Sequence, residues 1–311
     1  MGKVGCVEAF SPAGITSFFE PYELSPAGRR LPTSLRMAAR GGGFTIRTGT
    51  TTCVTAHTAN KSSVEVIVDG RRRNDFSTTE TVAELMLRRA DRKFKVKIEH
   101  EITVPVGAGY GASAAGALSA ALAMNELLRL DMTFDELGVL AHRAEVGCRT
   151  GLGTVGPLMV GGCIIQREGG PPGLCRIDRI PLKPHYRIVT GCYGPIPTRN
   201  VLGSRAVFSR IGKEGRRAMR SILERPSLEN LLQASEDFAS RIGFMTERVA
   251  RSISAAKREG AVGATQNMLG EAFHAVVEES EAGGVVKALM KVSRDMRIFS
   301  SRIDFEGARL L

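Results

Sequence analysis

The chain has 311 residues, 43 Lys+Arg against 32 Asp+Glu, a formal net charge of +11 and 43% hydrophobic residues. Apolar segments recur along its whole length, which excludes a disordered polymer, and no window approaches the roughly 18 consecutive apolar residues of a membrane span. The excess positive charge leaves three partner classes open: nucleic acid, an anionic membrane surface and an anionic small molecule.

In chain order, Met1 to Val4 runs into a strand-like segment with no signal-peptide profile, so a cytoplasmic chain is expected. Six cysteines (Cys6, Cys53, Cys148, Cys163, Cys175, Cys192) are scattered without a CxxC pair, which predicts reduced thiols and disfavours a cysteine zinc site. Val4–Phe10, Phe44–Arg47, Thr51–Ala56 and Val64–Val68 read as short β-branched strands. Asp69-Gly70 is a hairpin signal, since glycine accepts the positive φ the turn requires. Thr79–Ala90 has helical spacing, and Phe94–Val104 returns to strand character. Ser113–Leu130, rich in Ala, Leu and Met, predicts a buried helix, and Thr133 with Glu136 is a capping-box pattern opening another over about Phe134–Val146. An apolar strand at Gly162–Gln166 interrupts a glycine- and proline-rich stretch. Tyr186–Cys192 reads as a further strand, and the chain is expected to be mostly helical from about Thr198 to Val277. Glycines and prolines between Gly169 and Pro184 mark a domain boundary, giving expected domains at 1–175 and 176–311. This mixed order argues for an α+β fold rather than regular βαβ winding.

The most informative stretch is Pro105-Val106-Gly107-Ala108-Gly109-Tyr110-Gly111-Ala112-Ser113-Ala114-Ala115-Gly116. It follows a strand and opens a helix, where unpaired N–H groups and the positive end of the macrodipole attract phosphate. It is not a Walker loop, which needs a Lys-Ser/Thr pair where this chain has Ala112-Ser113. Nor is it a dinucleotide fingerprint, because the spacing is GxGxG and no early βαβ unit surrounds it. A strand–helix turn that binds nothing is the alternative for the loop taken alone.

The loop resembles the central ATP-binding motif of the GHMP kinases. Ala9–Glu20, Glu145–Val155, Gly194-Pro195-Ile196-Pro197-Thr198 and Ile303–Arg309 are similar to segments of the archaeal pantoate kinase family within that superfamily. The resemblance implies a two-domain α+β fold, with an N-terminal ATP-binding domain of the ribosomal protein S5 domain 2-like kind and a mostly helical C-terminal α+β domain. It implies ATP and Mg²⁺ as cofactors and pantoate, phosphorylated on its terminal hydroxyl on the way to coenzyme A, as the small-molecule partner. Pro105, Gly107, Ala108, Gly109, Gly111, Ala112 and Ser113 would bind nucleotide; Ser113 and Glu145 would hold the metal; His142, Arg167 and Thr198 would hold the substrate. Each also has an ordinary reading: Ser113 or Thr198 as a helix cap, Glu145 as a solvated charge, His142 as a core histidine. An arginine fork suits a carboxylate.

Two departures stand out. Thr154 occupies the position where mevalonate-kinase-like members carry an aspartate base, and Ala39 replaces a serine that often precedes the Arg-Gly-x-Gly segment. Thr154 cannot act as a carboxylate base, but it can orient the attacking hydroxyl. A kinase for homoserine or a mevalonate derivative, and a non-catalytic nucleotide- or RNA-binding relative, are therefore the alternatives, and a homodimer is allowed. The superfamily's third glycine motif is not recognisable, with Gly263–Gly270 a weak stand-in. Nucleic acid and membrane are not expected partners. The basic stretches Arg71–Arg73 and Arg216-Arg217 lack interleaved aromatics, which are 5% of the chain with no Trp. Most of the excess charge is read as solvated surface of the helical half.

Overall fold

The computed structural model describes residues 3–23, 37–73, 75–195 and 205–311. Two long strands organise it. β1 (Lys3–Glu23) and β2 (Met37–Thr58) pair antiparallel from Lys3 opposite His57 to Glu23 opposite Met37. The sequence predicts shorter pieces here because the Gly41-Gly42-Gly43 run has no side chains to display a two-residue alternation. The chain continues through β3 (Ser63–Val68), β4 (Arg71–Arg72), α1 (Ser77–Leu87), β5 (Phe94–Ile102), α2 (Ala112–Leu128), α3 (Phe134–Gly147), the short α4 (Val155–Val160), β6 (Cys163–Glu168) and β7 (Arg176–Ile180). The Asp69-Gly70 turn joins β3 to β4 with φ of 49° and 76°, as expected. The Thr133 box also forms: Thr133 Oγ1 accepts from Glu136 N, and the Glu136 carboxylate accepts from Thr133 N at 2.8 Å.

The first sheet runs β12-β1-β2-β5-β3-β4, where β12 is Arg309–Leu310. β2 is long enough to serve two neighbours: Thr50–Thr58 pair with β5, and Gly41–Phe44 pair with β6. α2 lies on β1 and β2 with α1 and α3 beside it. Its run of small side chains allows that approach on every side, and Ala115, Ala117, Ala120, Ala121 and Ala123 are all fully buried.

After β8 (Tyr186–Pro195) come α5 (Arg205–Glu224), α6 (Leu228–Ile242) and α7 (Glu247–Arg258), then β9 (Gly263–Gln266), β10 (Gly270–Glu278), α8 (Ala282–Val292) and β11 (Arg297–Arg302). The expected helical run to Val277 therefore stops at Arg258. β9 and β10 join β8 and β11 in a second, four-stranded antiparallel sheet of order β11-β8-β10-β9. Val276 packs with Leu231 and Ile222 on one side, while Ala275 and Val277 pack with Val249 and Leu289 on the other. A strand covered on both faces reads as a continuous apolar run, which periodicity cannot tell from a buried helix. The first sheet also crosses the expected 175/176 boundary. β7 pairs with β6, Ile180 opposite Cys163, and Leu310 returns to lie opposite Ala9 of β1. Among the described residues no helix is long and apolar enough to cross a membrane.

Candidate active site

The loop between β5 and α2 turns on three left-handed glycines, Gly107, Gly109 and Gly111, with φ of 76°, 83° and 65°. Gly111, immediately before α2, is glycine for two reasons: its left-handed backbone disfavours a side chain, and a Cβ there would sit 2.8 Å from Thr154 Cγ2. The loop is anchored from both sheets. Gly14 N on β1 donates to the Tyr110 carbonyl at 3.0 Å, and the buried Tyr110 hydroxyl lies 2.7 Å from Thr190 Oγ1 on β8. The turn before β10 packs on it, with Gly270 seated against the Ala108 carbonyl. Tyr110 was a spacer in the sequence motif; its one signal is a bulky aromatic among small residues.

Ala112, Ser113 and Ala114 precede the amide of the first intrahelical bond, Ala115 N to Gly111 O at 2.9 Å. They line a cavity of about 240 Å³. Its unpaired first-turn amides suit an anion. Glu145, from α3, forms part of the same wall and is buried. Burial pushes its carboxyl up to about 7, against hydrogen bonds from the Thr154 side chain and from the backbone of Gly153, Thr154 and Val155 that pull it down. Glu145 Oε2 accepts from Thr154 N at 3.2 Å, and a Cβ on Gly151 would collide with Oε1 at 2.1 Å, so the loop after α3 must be bare where the carboxylate lies.

The other end of the cavity is made by Phe18 and Phe19 on β1, Arg40 on β2, Ile164 and Gln166 on β6, and Met268-Leu269 in the turn between β9 and β10. The weak stand-in Gly263–Gly270 thus reaches the site. Arg40 is the lining cation among the described residues, and it stands directly opposite Glu20 across the β1–β2 ladder. Glu20 is buried and joins two arginines: Arg40 Nε to Oε2 at 2.5 Å and Arg216 Nη1 to Oε1 at 3.0 Å. A separate buried chain ties the turn to β1. Ser17 Oγ lies 2.9 Å from His274 Nε2, and His274 Nδ1 lies 2.7 Å from Asn267 Oδ1.

Ser113, Glu145 and Thr154 come together here, with Gly107, Gly109, Gly111 and Ala112; Pro105 and Ala108 do not line the cavity. His142 and Arg167 do not reach it either. His142 is fully buried beside the helix layer, its ring nitrogens have no partner among the described residues, and burial pushes its pKa down to about 4. Three residues along a helix turn its side chain about 60° away from Glu145. Arg167 is on the opposite face of β6 from Gln166, 3.6 Å from Asp178. A one-residue step in a strand reverses the side chain, and Gln166 takes the place expected of Arg167. Thr198 lies outside the described residues. In the basic stretches, Arg72 faces Glu65, Arg73 binds Asp75 and Arg216 binds Glu20, so these charges are already matched by carboxylates.

Residues 77–162, spanning α1 through α4 and the glycine loop, match the model of the GHMP kinases N terminal domain. That segment carries the match to the GHMP kinases. The chain is 29% identical over 283 residues to a pantoate kinase from Thermococcus kodakarensis, covering 89% of each chain. It is 28% identical to a pantoate kinase from Methanocaldococcus jannaschii, covering 86% of this chain and 91% of that one. A solved structure described as a phosphotransferase related to the CoA biosynthesis pathway superposes with a TM-score of 0.88 at 24% identity, covering 99% of both chains. The described residues therefore share the α+β fold of that structure.

Proposed function

We propose that the protein is a pantoate kinase, a cytoplasmic enzyme that transfers the γ-phosphoryl group of ATP to the terminal hydroxyl of pantoate and yields 4-phosphopantoate for coenzyme A synthesis. The observation that carries this reading is one cavity with an anion-binding helix terminus at one end and an arginine beside apolar side chains at the other. The relatives named pantoate kinase, similar over nearly the full chain, support the acceptor.

In this reading the amides of Gly109 to Ser113 take the phosphates. Ser113 and Glu145 would hold Mg²⁺. The donor set fits: both are hard oxygen ligands lining the cavity, and Glu145 is a buried carboxyl pushed up to about 7 with no cation among the described residues pulling it down. When bound, the ion neutralises charge on the phosphates. Arg40 receives the carboxylate of the acceptor, held in place by Glu20, while Phe18, Phe19 and Ile164 cover its branched hydrocarbon body. Thr154 orients the attacking hydroxyl, whose proton passes to the transferred phosphate; phosphoryl transfer depends on positioning and charge neutralisation more than on a strong base. His142 supports α3 from the core, and Arg167 has no part in acceptor binding.

The test is ADP release with Mg·ATP and a panel of acceptors. The expected result is turnover of pantoate at least about 100-fold above homoserine and mevalonate, a margin within what a site reading carboxylate and apolar body achieves. Turnover of either competitor at the higher rate moves the protein to another acceptor class, and ATP binding without turnover of any acceptor makes it a non-catalytic relative.

A further inference from the structure

Cys6 on β1 and Cys53 on β2 bring their sulfurs to 2.6 Å. The register places Cys6 opposite Thr55 and Glu8 opposite Cys53, so the cysteines are diagonal neighbours on one face of the ladder. That face is open to solvent: Cys6 is exposed and Cys53 partly so, whereas Cys163 and Cys192 are buried. Both backbones are already fixed in the β1–β2 ladder, and the sulfurs are well inside ordinary non-bonded contact.

We propose that Cys6 and Cys53 are a site of covalent modification, closing a cross-strand disulfide when the protein meets a small-molecule disulfide such as oxidised glutathione. Both are free thiols before that reaction, as expected from the sequence. One cysteine thiolate attacks a sulfur of the oxidant and releases one thiol; the second cysteine then displaces the other. One S–S bond forms as one breaks, two cysteine thiols are oxidised as the oxidant is reduced, and the two protons end on the released thiols. Burial, the adjacent Cys6 sulfur and the carboxylates of Glu8 and Glu99 push the Cys53 thiol up to about 12. Attack on the Cys6 sulfur would therefore have to expel a poor leaving group. The 47-residue span between the cysteines includes the cavity walls of both long strands, Ile15 to Phe19 and Ala39 to Phe44. The link constrains the unfolded chain across that whole span.

The experiment is oxidation of the full chain with excess oxidised glutathione, alkylation of remaining thiols, digestion and mass spectrometry. The expected product joins the Cys6 and Cys53 peptides at about 2 Da below their summed thiol masses, with Tm raised by about 3–6 °C over the reduced protein. Cys6→Ser and Cys53→Ser proteins, which keep the reduced protein's Tm, are each expected to lack both the joined peptide and the Tm rise. Recovery of both cysteines alkylated, or each carrying its own glutathione, overturns the proposal. The outcome is independent of which acceptor the enzyme phosphorylates.

Discussion

The glycine-loop end of the cavity comes from one continuous stretch, residues 107 to 114, and presents backbone amides. The opposite end, proposed to take the acceptor, draws on β1, β2, β6 and the β9–β10 turn, from Phe18 to Leu269, and presents side chains. An amide site depends on where glycines permit a left-handed backbone, which a motif displays directly. A side-chain site depends on register and strand parity, which a motif does not display. The two ends therefore differ in how each is built and in how each can be disrupted.

The largest expected effect falls at the loop end. Glu145→Gln is expected to lower kcat about 1,000-fold, and Ser113→Ala about 10- to 100-fold, with the KM for the hydroxy acid changed less than about threefold. Steady-state kinetics at saturating Mg²⁺ check both. Equal losses from Pro105→Ala would break the division between lining and non-lining loop residues.

Acid acts on the joints behind the site. Burial pushes His100 and His142 down to about 4 and His274 to about 3, against an unfolded value near 6.5. The unfolded chain takes up those protons first, so stability present above pH 6.5 is lost as pH falls toward 4. Glu145, pushed up to about 7, works in the opposite direction, gaining stability as pH falls from 7 toward 4.5. Between pH 7 and pH 5 each histidine costs on the order of 2 kcal/mol and the carboxyl returns about as much, a net loss of about 3–4 kcal/mol. Denaturant melts at the two pH values measure it; equal or greater stability at pH 5 contradicts the buried-histidine account.

At the acceptor end, Arg40→Ala is expected to raise the KM for pantoate about 10- to 100-fold and leave the KM for ATP unchanged, the size of one charge-assisted hydrogen-bonded contact. Arg167→Ala is expected to stay within about twofold on both. The reverse pattern would exchange the roles of Arg40 and Arg167 and return the acceptor to the opposite face of β6. The smallest effect is on the anchor between the two ends: Tyr110→Phe removes the hydroxyl contact to Thr190 and is expected to cost about 1 kcal/mol in a denaturant melt.

The same contrast explains what was legible in the sequence. The loop, α2, the Thr133 box and the Asp69-Gly70 turn each rest on local chemistry, and each formed as read. Glu145, picked out by the resemblance over Glu145–Val155, lines the cavity. Gln166 was passed over for its charged neighbour, because side-chain type was weighed and strand parity was not. Arg40 was read only as part of a glycine-rich segment; Glu20 opposite it is separated by 20 residues, and pairing across a long ladder leaves no local mark. β9 and β10 were read as helix because their apolar runs are covered on both faces. Tyr110 was legible only as a large residue in a loop of small ones.

The most direct measurement of the central claim is ³¹P–¹H correlation spectroscopy on the product formed from pantoate and Mg·ATP. The account predicts a single phosphate monoester whose phosphorus couples to the terminal methylene protons of pantoate. No phosphorylated pantoate, while another hydroxy acid placed in the same reaction acquires the phosphate, would contradict it.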